Sequence, residues 1–412
     1  MTQNKNSAKH AWMALVAVSL MTAVWTGVTG STISLFAEPM IAELGITSTQ
    51  FMLGATSIVA LTNGSISMFL FGKIHSKLGL KKMMLLGGLI GTCGFTLYAF
   101  AQNFPMILAA GVMFGIGCCM NYITTLTLVI NSWFKKRNAT YMSIAQTVGS
   151  VTGIVAATVY SALIVNLGWR PAMLVTVAIC GISTILIQLL YKGTPEELGE
   201  SPLYADAPAE ENTPQIQIEE DGISFAESLK CGRFYILLLL YVLVGAASCG
   251  PLFNLPLVVA GMGHGTLAGT IVSTCLITAS LTLVPCGSLV DKAGSKWVVA
   301  LGMGCGAIAY TILRGQPSTL MIYVAAILLG LTSNTAMLPC NISIRELLGT
   351  KDYAKKASLM TAAVLIGMAI GSPIMASFYD ATGSYSTGFL VFSVLALVAA
   401  VLIFPMTKRV KS

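Results

Sequence analysis

Histidine, cysteine and carboxylate side chains carry most acid–base, nucleophilic and metal chemistry, and in this sequence they are dispersed. His10, His75 and His264 fall in three separate polar stretches. There is no H-E-x-x-H, no G-x-S-x-G in a strand-to-helix setting, and no carboxylate deep inside an apolar segment. Of the ten cysteines, Cys93, Cys118, Cys119, Cys180, Cys249, Cys275, Cys286, Cys305 and Cys340 sit within apolar stretches and Cys231 just before one, with no C-x-x-C pair. They read as small buried hydrophobes rather than disulfide or metal partners. The expectation is no catalytic residue, no metal, no cofactor and no enzymatic activity.

The chemistry that remains is recognition. Amide, hydroxyl, phenol and indole groups interrupt the apolar stretches at Trp25, Thr26, Thr29, Asn121, Tyr122, Gln146, Asn254, Thr278 and Asn334. A polar group surrounded by hydrocarbon needs a partner, so each either bonds a neighbouring helix or contacts a solute. The sequence leaves these two roles open. Trp25, Thr29, Asn121, Tyr122, Gln146, Asn254 and Asn334 are the substrate-binding candidates.

The elements that position them follow from composition. Hydrophobic residues make up 55% of the 412 residues and charged residues only 9%, with mean hydropathy +0.81. A soluble domain carries about 25% charged residues, so a soluble fold is excluded. Each membrane-spanning helix takes about 20 mainly apolar residues. Such stretches lie near 11–36, 50–72, 82–102, 105–130, 138–166, 170–191, 233–259, 266–290, 296–315, 318–342, 355–379 and 385–406. The fold class is an all-α membrane protein of twelve transmembrane helices.

With a cytoplasmic N-terminus, 21 of the 23 Lys and Arg residues fall in tails and loops on the inside, leaving Arg170 and Arg314 outside. That is the bias expected of short loops, so the net charge of +7 calls for no nucleic acid or other anionic partner. Both termini are placed in the cytoplasm of a bacterial-type inner membrane. Trp12, Trp133, Trp169 and Trp297 fall at membrane interfaces, whereas Trp25 is mid-span.

Residues 192–230 are the one long hydrophilic stretch and hold ten of the sixteen acids. They read as a cytoplasmic acidic linker between an N-terminal six-helix half (1–191) and a C-terminal six-helix half (231–412). An internal repeat supports the division. The loop after the second span, Gly72-Lys-Ile-His-Ser-Lys-Leu-Gly79-Leu-Lys81, and the loop after the eighth, Gly287-Ser-Leu-Val-Asp-Lys-Ala-Gly294-Ser-Lys296, both fit G-x-x-x-[SD]-K-x-G-x-K. Gly111-x-x-x-Gly115, Gly149-x-x-x-Gly153 and Gly367-x-x-x-Gly371 provide smooth helix faces for close packing.

With these loops the chain resembles the major facilitator superfamily, whose signature after the second helix is G-x-x-x-D-[RK]-x-G-[RK]-[RK]. The resemblance implies two pseudo-symmetric six-helix halves and transport by alternating access. It also implies a gating role for Ser76, Lys77, Asp291 and Lys292, with the acid helping to hold the cytoplasmic side closed. Asp291 and Lys292 match the signature; Ser76 stands where the family has Asp. Three further segments resemble the oxalate/formate antiporter and monocarboxylate transporter branch: Asn131-Ser-Trp-Phe-Lys-Lys-Arg137, Thr194-Pro-Glu-Glu-Leu-Gly199 and Tyr379-Asp-Ala-Thr-Gly-Ser-Tyr385. Anion carriers of that branch place an arginine in the eighth helix, and residues 266–290 contain no basic residue.

The expected function is secondary transport of a small organic molecule, with a small carboxylate first, by exchange or facilitated diffusion. A neutral or zwitterionic metabolite, proton symport, and a transporter-like sensor without turnover are the alternatives. The implied partners are a small-molecule substrate and the lipid bilayer, and the expected state is a monomer.

Overall fold

A computed structural model describes residues 2–134, 137–203, 223–315, 317–337, 339–349 and 351–406. Helices account for nearly all of them, and no extended strand occurs among the described residues. Ten helices there are long and apolar enough to cross a membrane. Two further helices, over 48–69 and Thr319–Met337, bring the spans among the described residues to twelve.

Span α1 runs over Asn6–Leu44 and is wound as a π-helix at Ala23–Val28 and as a 3-10 helix at Ile33–Phe36. Span α2 comprises Ser48–Met52, a π turn at Leu53–Ser57 and Ile58–Phe69. The helix Phe71–Ala99 is kinked at Gly79 (φ 71°), so 71–78 prolongs α2 and 80–99 is α3. Next come α4 (Phe104–Met120 and Ile123–Trp133), α5 (Asn138–Leu167) and α6 (Trp169–Leu190). The second set is α7 (Gly232–Gly261), α8 (Ala268–Ala293), α9 (Ser295–Arg314), α10 (Thr319–Met337, then Cys340–Leu348), α11 (Tyr353–Thr382) and α12 (Ser386–Met406).

The chain forms two compact units, residues 1–44 with 61–214 and residues 45–60 with 215–412. Within the first, α1 packs on α5, and α3 on α4 and α6. Within the second, α7 packs on α11, α9 on α10 and α12, and the first turns of α2 on α11. The glycine spacings at 149/153 and 367/371 are packing devices. A Cβ at Gly27 of α1 would lie 2.5 Å from the Gly149 carbonyl oxygen, and one at Gly371 of α11 would lie 2.5 Å from that of Ala246 in α7. Gly87, Gly91, Gly94 and Gly117 make the corresponding contact of α3 with α4.

The repeated loops fold alike. Gly79 (φ 71°, ψ 166°) and Gly294 (φ 87°, ψ 164°) share one backbone conformation that L side chains avoid. A carboxylate oxygen faces each, Glu197 Oε1 at 3.3 Å and Glu346 Oε1 at 3.2 Å from the Cβ position. Glu346 also caps α9, accepting from the Ser295 amide at 3.0 Å and its hydroxyl at 2.6 Å.

Both described ends of the acidic stretch are folded, and its residues 204–222 lie outside the described residues. Thr194 and Glu197 form a reciprocal capping box, as do Ser224 and Glu227. The Leu203 amide donates to the Trp133 carbonyl at 2.8 Å, and His10 Nδ1 lies 2.9 Å from Glu200. At the other end the Ile223 amide donates to the Leu348 carbonyl at 3.3 Å. Lys356, with no exposed surface, donates to Ile223 O at 2.6 Å. The backbone amides of Ser224 and Phe225 hold the Glu227 and Asp352 carboxyls below the usual carboxylate range.

Trp133 and Trp169 turn inward and are 1% and 4% exposed, bonding Gly193 O and Glu43 through their indole N–H groups. These hydrogen bonds draw the rings into the protein. Arg170 is held by three acceptors. It lies 3.0 Å from Glu43 and donates to Ala99 O and Ala101 O at the C-terminal end of α3.

Candidate functional site

In the first unit the polar candidates gather at two irregular turns. Trp25 lies in the π turn of α1, is 2% exposed and stacks on Phe114 of α4 at 6.4 Å. Its benzenoid edge occupies the space left by Gly91 of α3. Among the described residues its buried Nε1 has no acceptor. Thr29 is fully buried and donates to Trp25 O at 2.9 Å, the local back-bond that threonines in membrane helices commonly make.

Asn121 and Tyr122 form a break in α4. The helix of 17 residues ending at Met120 stops there and one of 11 residues restarts at Ile123, with Tyr122 extended between them (φ −120°, ψ −161°). The orphan carbonyls of the first piece are satisfied locally. Asn121 donates from its backbone to Gly117 O at 3.1 Å and from Nδ2 at 3.3 Å, and Thr125 donates to Met120 O at 2.7 Å. The N-terminus of the second piece has no side-chain cap, so its first amide groups lack intrahelical partners. A helix start of this kind carries partial positive charge and directs N–H groups outward, the arrangement that holds anions.

α5 carries a second polar feature. At 100° per residue, Ser143, Gln146, Thr147 and Ser150 share one face, opposite a valine stripe at 148, 151, 155 and 159 and beside the Gly149/Gly153 face. Gln146 and Thr147 are exposed, and Gln146 makes no hydrogen bond among the described residues. Lipid offers such a face nothing, whereas an aqueous path suits it. Sequence reading found Gln146 but not Ser143, Thr147 and Ser150, although their helical spacing was the available signal.

In the second unit Asn254 is fully buried in α7 and donates to Gly250 O at 2.8 Å and Ser372 O at 3.0 Å. Its Oδ1 has no donor among the described residues. Pro251 removes a helical amide from the same helix, and the Tyr310 hydroxyl of α9 donates to the Ala247 carbonyl left free. Asn334 of α10 donates to Ala279 O at 2.8 Å and Thr282 Oγ1 at 3.0 Å of α8. Thr282 ends a column in which Thr274, Thr278 and Thr282 each donate to the carbonyl four residues back.

α10 is broken where α4 is. Its 19-residue piece ends at Met337 and a 9-residue helix starts at Cys340, with Pro339 in the turn just before it. The apolar run that suggested one helix over 318–342 is therefore two.

The gating candidates occupy the repeated loops. Ser76 is exposed and its hydroxyl donates to Lys73 O at 3.1 Å; Lys77 and Lys292 are exposed. Asp291 belongs to α8, and its side chain lies outside the described residues. No cluster of three or more His, Cys, Asp or Glu residues suited to a metal ion occurs among the described residues.

A model of the Major Facilitator Superfamily matches residues 15–270 and 237–412. Monocarboxylate transporter 13 of Rattus norvegicus is 24% identical over 77% of this chain and 71% of its own length. An uncharacterized MFS-type transporter of Escherichia coli strain K12, YhjX, is 23% identical over 82% of this chain and 80% of its own. Among solved structures, the nucleoside transporter NupG superposes with a TM-score of 0.76 at 14% identity, covering 97% of this chain and 99% of that one. A bacterial homologue of the human lysosomal transporter Spinster gives 0.70 at 16% identity, covering 97% of each chain. At these identities the solved structures show the fold.

Proposed function

This chain belongs to the Major Facilitator Superfamily, and from that premise we propose that it moves a small carboxylate across the cytoplasmic membrane by exchange or facilitated diffusion. It is a multi-pass membrane transporter with a small-molecule substrate, and not an enzyme. The observation that carries the carboxylate reading is the break in α4. It supplies uncapped amide donors and a helix dipole in a span set without an intramembrane arginine or lysine. Tyr122 at the break and Gln146 on the polar face of α5 add side-chain donors. The relatives that carry the name monocarboxylate transporter favour the same class.

Asn254 supports a second reading. Its buried, unpartnered Oδ1 suits a donor, so a hydroxylated or zwitterionic solute would satisfy it. Trp25, Thr29, Asn121 and Asn334 complete the proposed binding set, though the hydrogen bonds of Thr29, Asn121 and Asn334 serve helix geometry in the state described. The proposed organisation is a monomer of two six-helix halves, 1–191 and 231–412, joined by the acidic stretch 192–230. Both termini and the basic loops then lie in the cytoplasm. Ser76, Lys77, Asp291 and Lys292 are proposed to act at the cytoplasmic gate.

Exchange is favoured over proton symport because carboxylates are scarce in the spans. Glu38 is exposed near the outer end of α1, and both Asp380 oxygens already accept backbone amides. A ligand that binds only the folded carrier raises its stability with concentration over Kd, by about 2.7 kcal/mol at one hundred times Kd. Thermal-shift titration of purified protein with carboxylates, amino acids and betaines is expected to stabilise it with a small carboxylate. Stabilisation by betaines or amino acids alone would replace the carboxylate with the zwitterion.

A further inference from the structure

The segment Tyr379-Asp-Ala-Thr-Gly-Ser-Tyr385 ends α11 with Gly383 in the left-handed region (φ 68°), donating its amide to Tyr379 O at 2.8 Å. Beyond that turn Tyr385 stacks on Tyr379 at 4.6 Å with 19° between the rings. This closed turn fixes Asp380, whose Oδ1 accepts the Ser48 amide at 3.0 Å and whose Oδ2 accepts the Thr49 amide at 2.8 Å. These are the first free amides of α2, where an anion is stabilised by both hydrogen bonds and helix dipole. About two turns further along α2, the Ser57 hydroxyl donates to Ala369 O of α11.

The first part of α2 is thereby tied to α11, and the π turn at Leu53–Ser57 separates it from the rest of the helix. The compact units divide the same helix just beyond that turn, 45–60 falling in the second unit and the residues from 61 in the first. A π turn replaces regular hydrogen bonds with wider ones and often marks a functional irregularity in a helix. The tie itself is reversible in kind, because Asp380 is exposed and water can replace the amides it accepts.

We infer that Asp380 is a latch, holding the first turns of α2 on α11 in one state of the transport cycle and releasing them in the other about the π turn. A static cap would make the same hydrogen bonds, and the difference is whether they must open for turnover. A cysteine pair, Thr49→Cys with Asp380→Cys, joined by a short bis-methanethiosulfonate, whose two sulfinate groups leave as the cysteines form reducible disulfides with the spacer, replaces the latch with a covalent bond. A second pair, Thr49→Cys with Ala381→Cys, keeps the carboxylate. Each variant serves as its own reference before linking and after reduction. Uptake is read in proteoliposomes with whichever solute the unmodified protein exchanges, so an error in substrate class changes the solute and not the outcome. Linking is expected to lower exchange at least tenfold, with recovery on adding reductant. Linked protein that exchanges at its unlinked rate, or failure of both pairs to link, would overturn the latch.

Discussion

Replacing Gly371 by valine is expected to leave no monodisperse protein, and alanine there to cost about 1–3 kcal/mol of stability. A Cβ at this position falls 2.5 Å from Ala246 O and 2.7 Å from Ala246 Cα, and backbone atoms cannot rotate aside. α7 and α11 must then separate, losing dispersion contacts along the whole crossing. The contrast is Gly304 of α9, around which nothing lies within 4 Å. Alanine at 304 is expected to be neutral or to stabilise by up to about 1 kcal/mol, since glycine is the poorer helix former. Thermal unfolding of both variants in one detergent checks the pair. Equal stabilities would mean that α7 and α11 do not touch as described.

Gln146→Ala is expected to raise the KM for transport by about tenfold while leaving thermal stability unchanged, because the amide is exposed and makes no hydrogen bond among the described residues. One neutral hydrogen bond is worth about 0.5–1.5 kcal/mol, and 1.4 kcal/mol is tenfold. Asn254→Ala is the opposite case. Removing its Nδ2 leaves Gly250 O and Ser372 O without that buried donor, so its first effect is a loss of stability of about 1–3 kcal/mol. Transport kinetics measured beside unfolding curves separate the two. A destabilised Gln146→Ala with unchanged KM would assign that residue to packing.

The spans and loops were legible because each is written in a local property. Apolar length marked the helices, and Gly79 and Gly294 were marked as turns by the repeat around them. The irregularities were less visible. Pro339 was a signal for the break in α10, but the apolar run around it was read as a single helix. No proline marks the break in α4, which depends on Asn121 and Thr125 finding Gly117 O and Met120 O. The folded ends of the acidic stretch were hidden for a different reason. Thr194-Pro-Glu-Glu and Ser224-Phe-Ala-Glu are capping sequences that composition alone reads as polar linker.

Asp380 illustrates the remaining gap. Its place near the end of α11 follows from the sequence, but its partners lie more than 300 residues earlier, at Ser48 and Thr49. Trp25 is similar, since the space for its ring is made by Gly91 and its stacking partner is Phe114. Such long-range complementarity leaves no periodic trace in one sequence. Orientation of the α5 face was recoverable in principle, because Ser143, Gln146, Thr147 and Ser150 recur at helical spacing opposite the valines.

The central claim is exchange of a small carboxylate without a coupled proton. Counterflow tests it most directly, with proteoliposomes preloaded with an unlabelled short-chain carboxylate and supplied with the labelled solute outside. Labelled uptake is expected to rise above the equilibrium level with no imposed pH gradient, and to the same level when a gradient is applied. Accumulation that requires the gradient, and vanishes in Glu38→Gln, would contradict it.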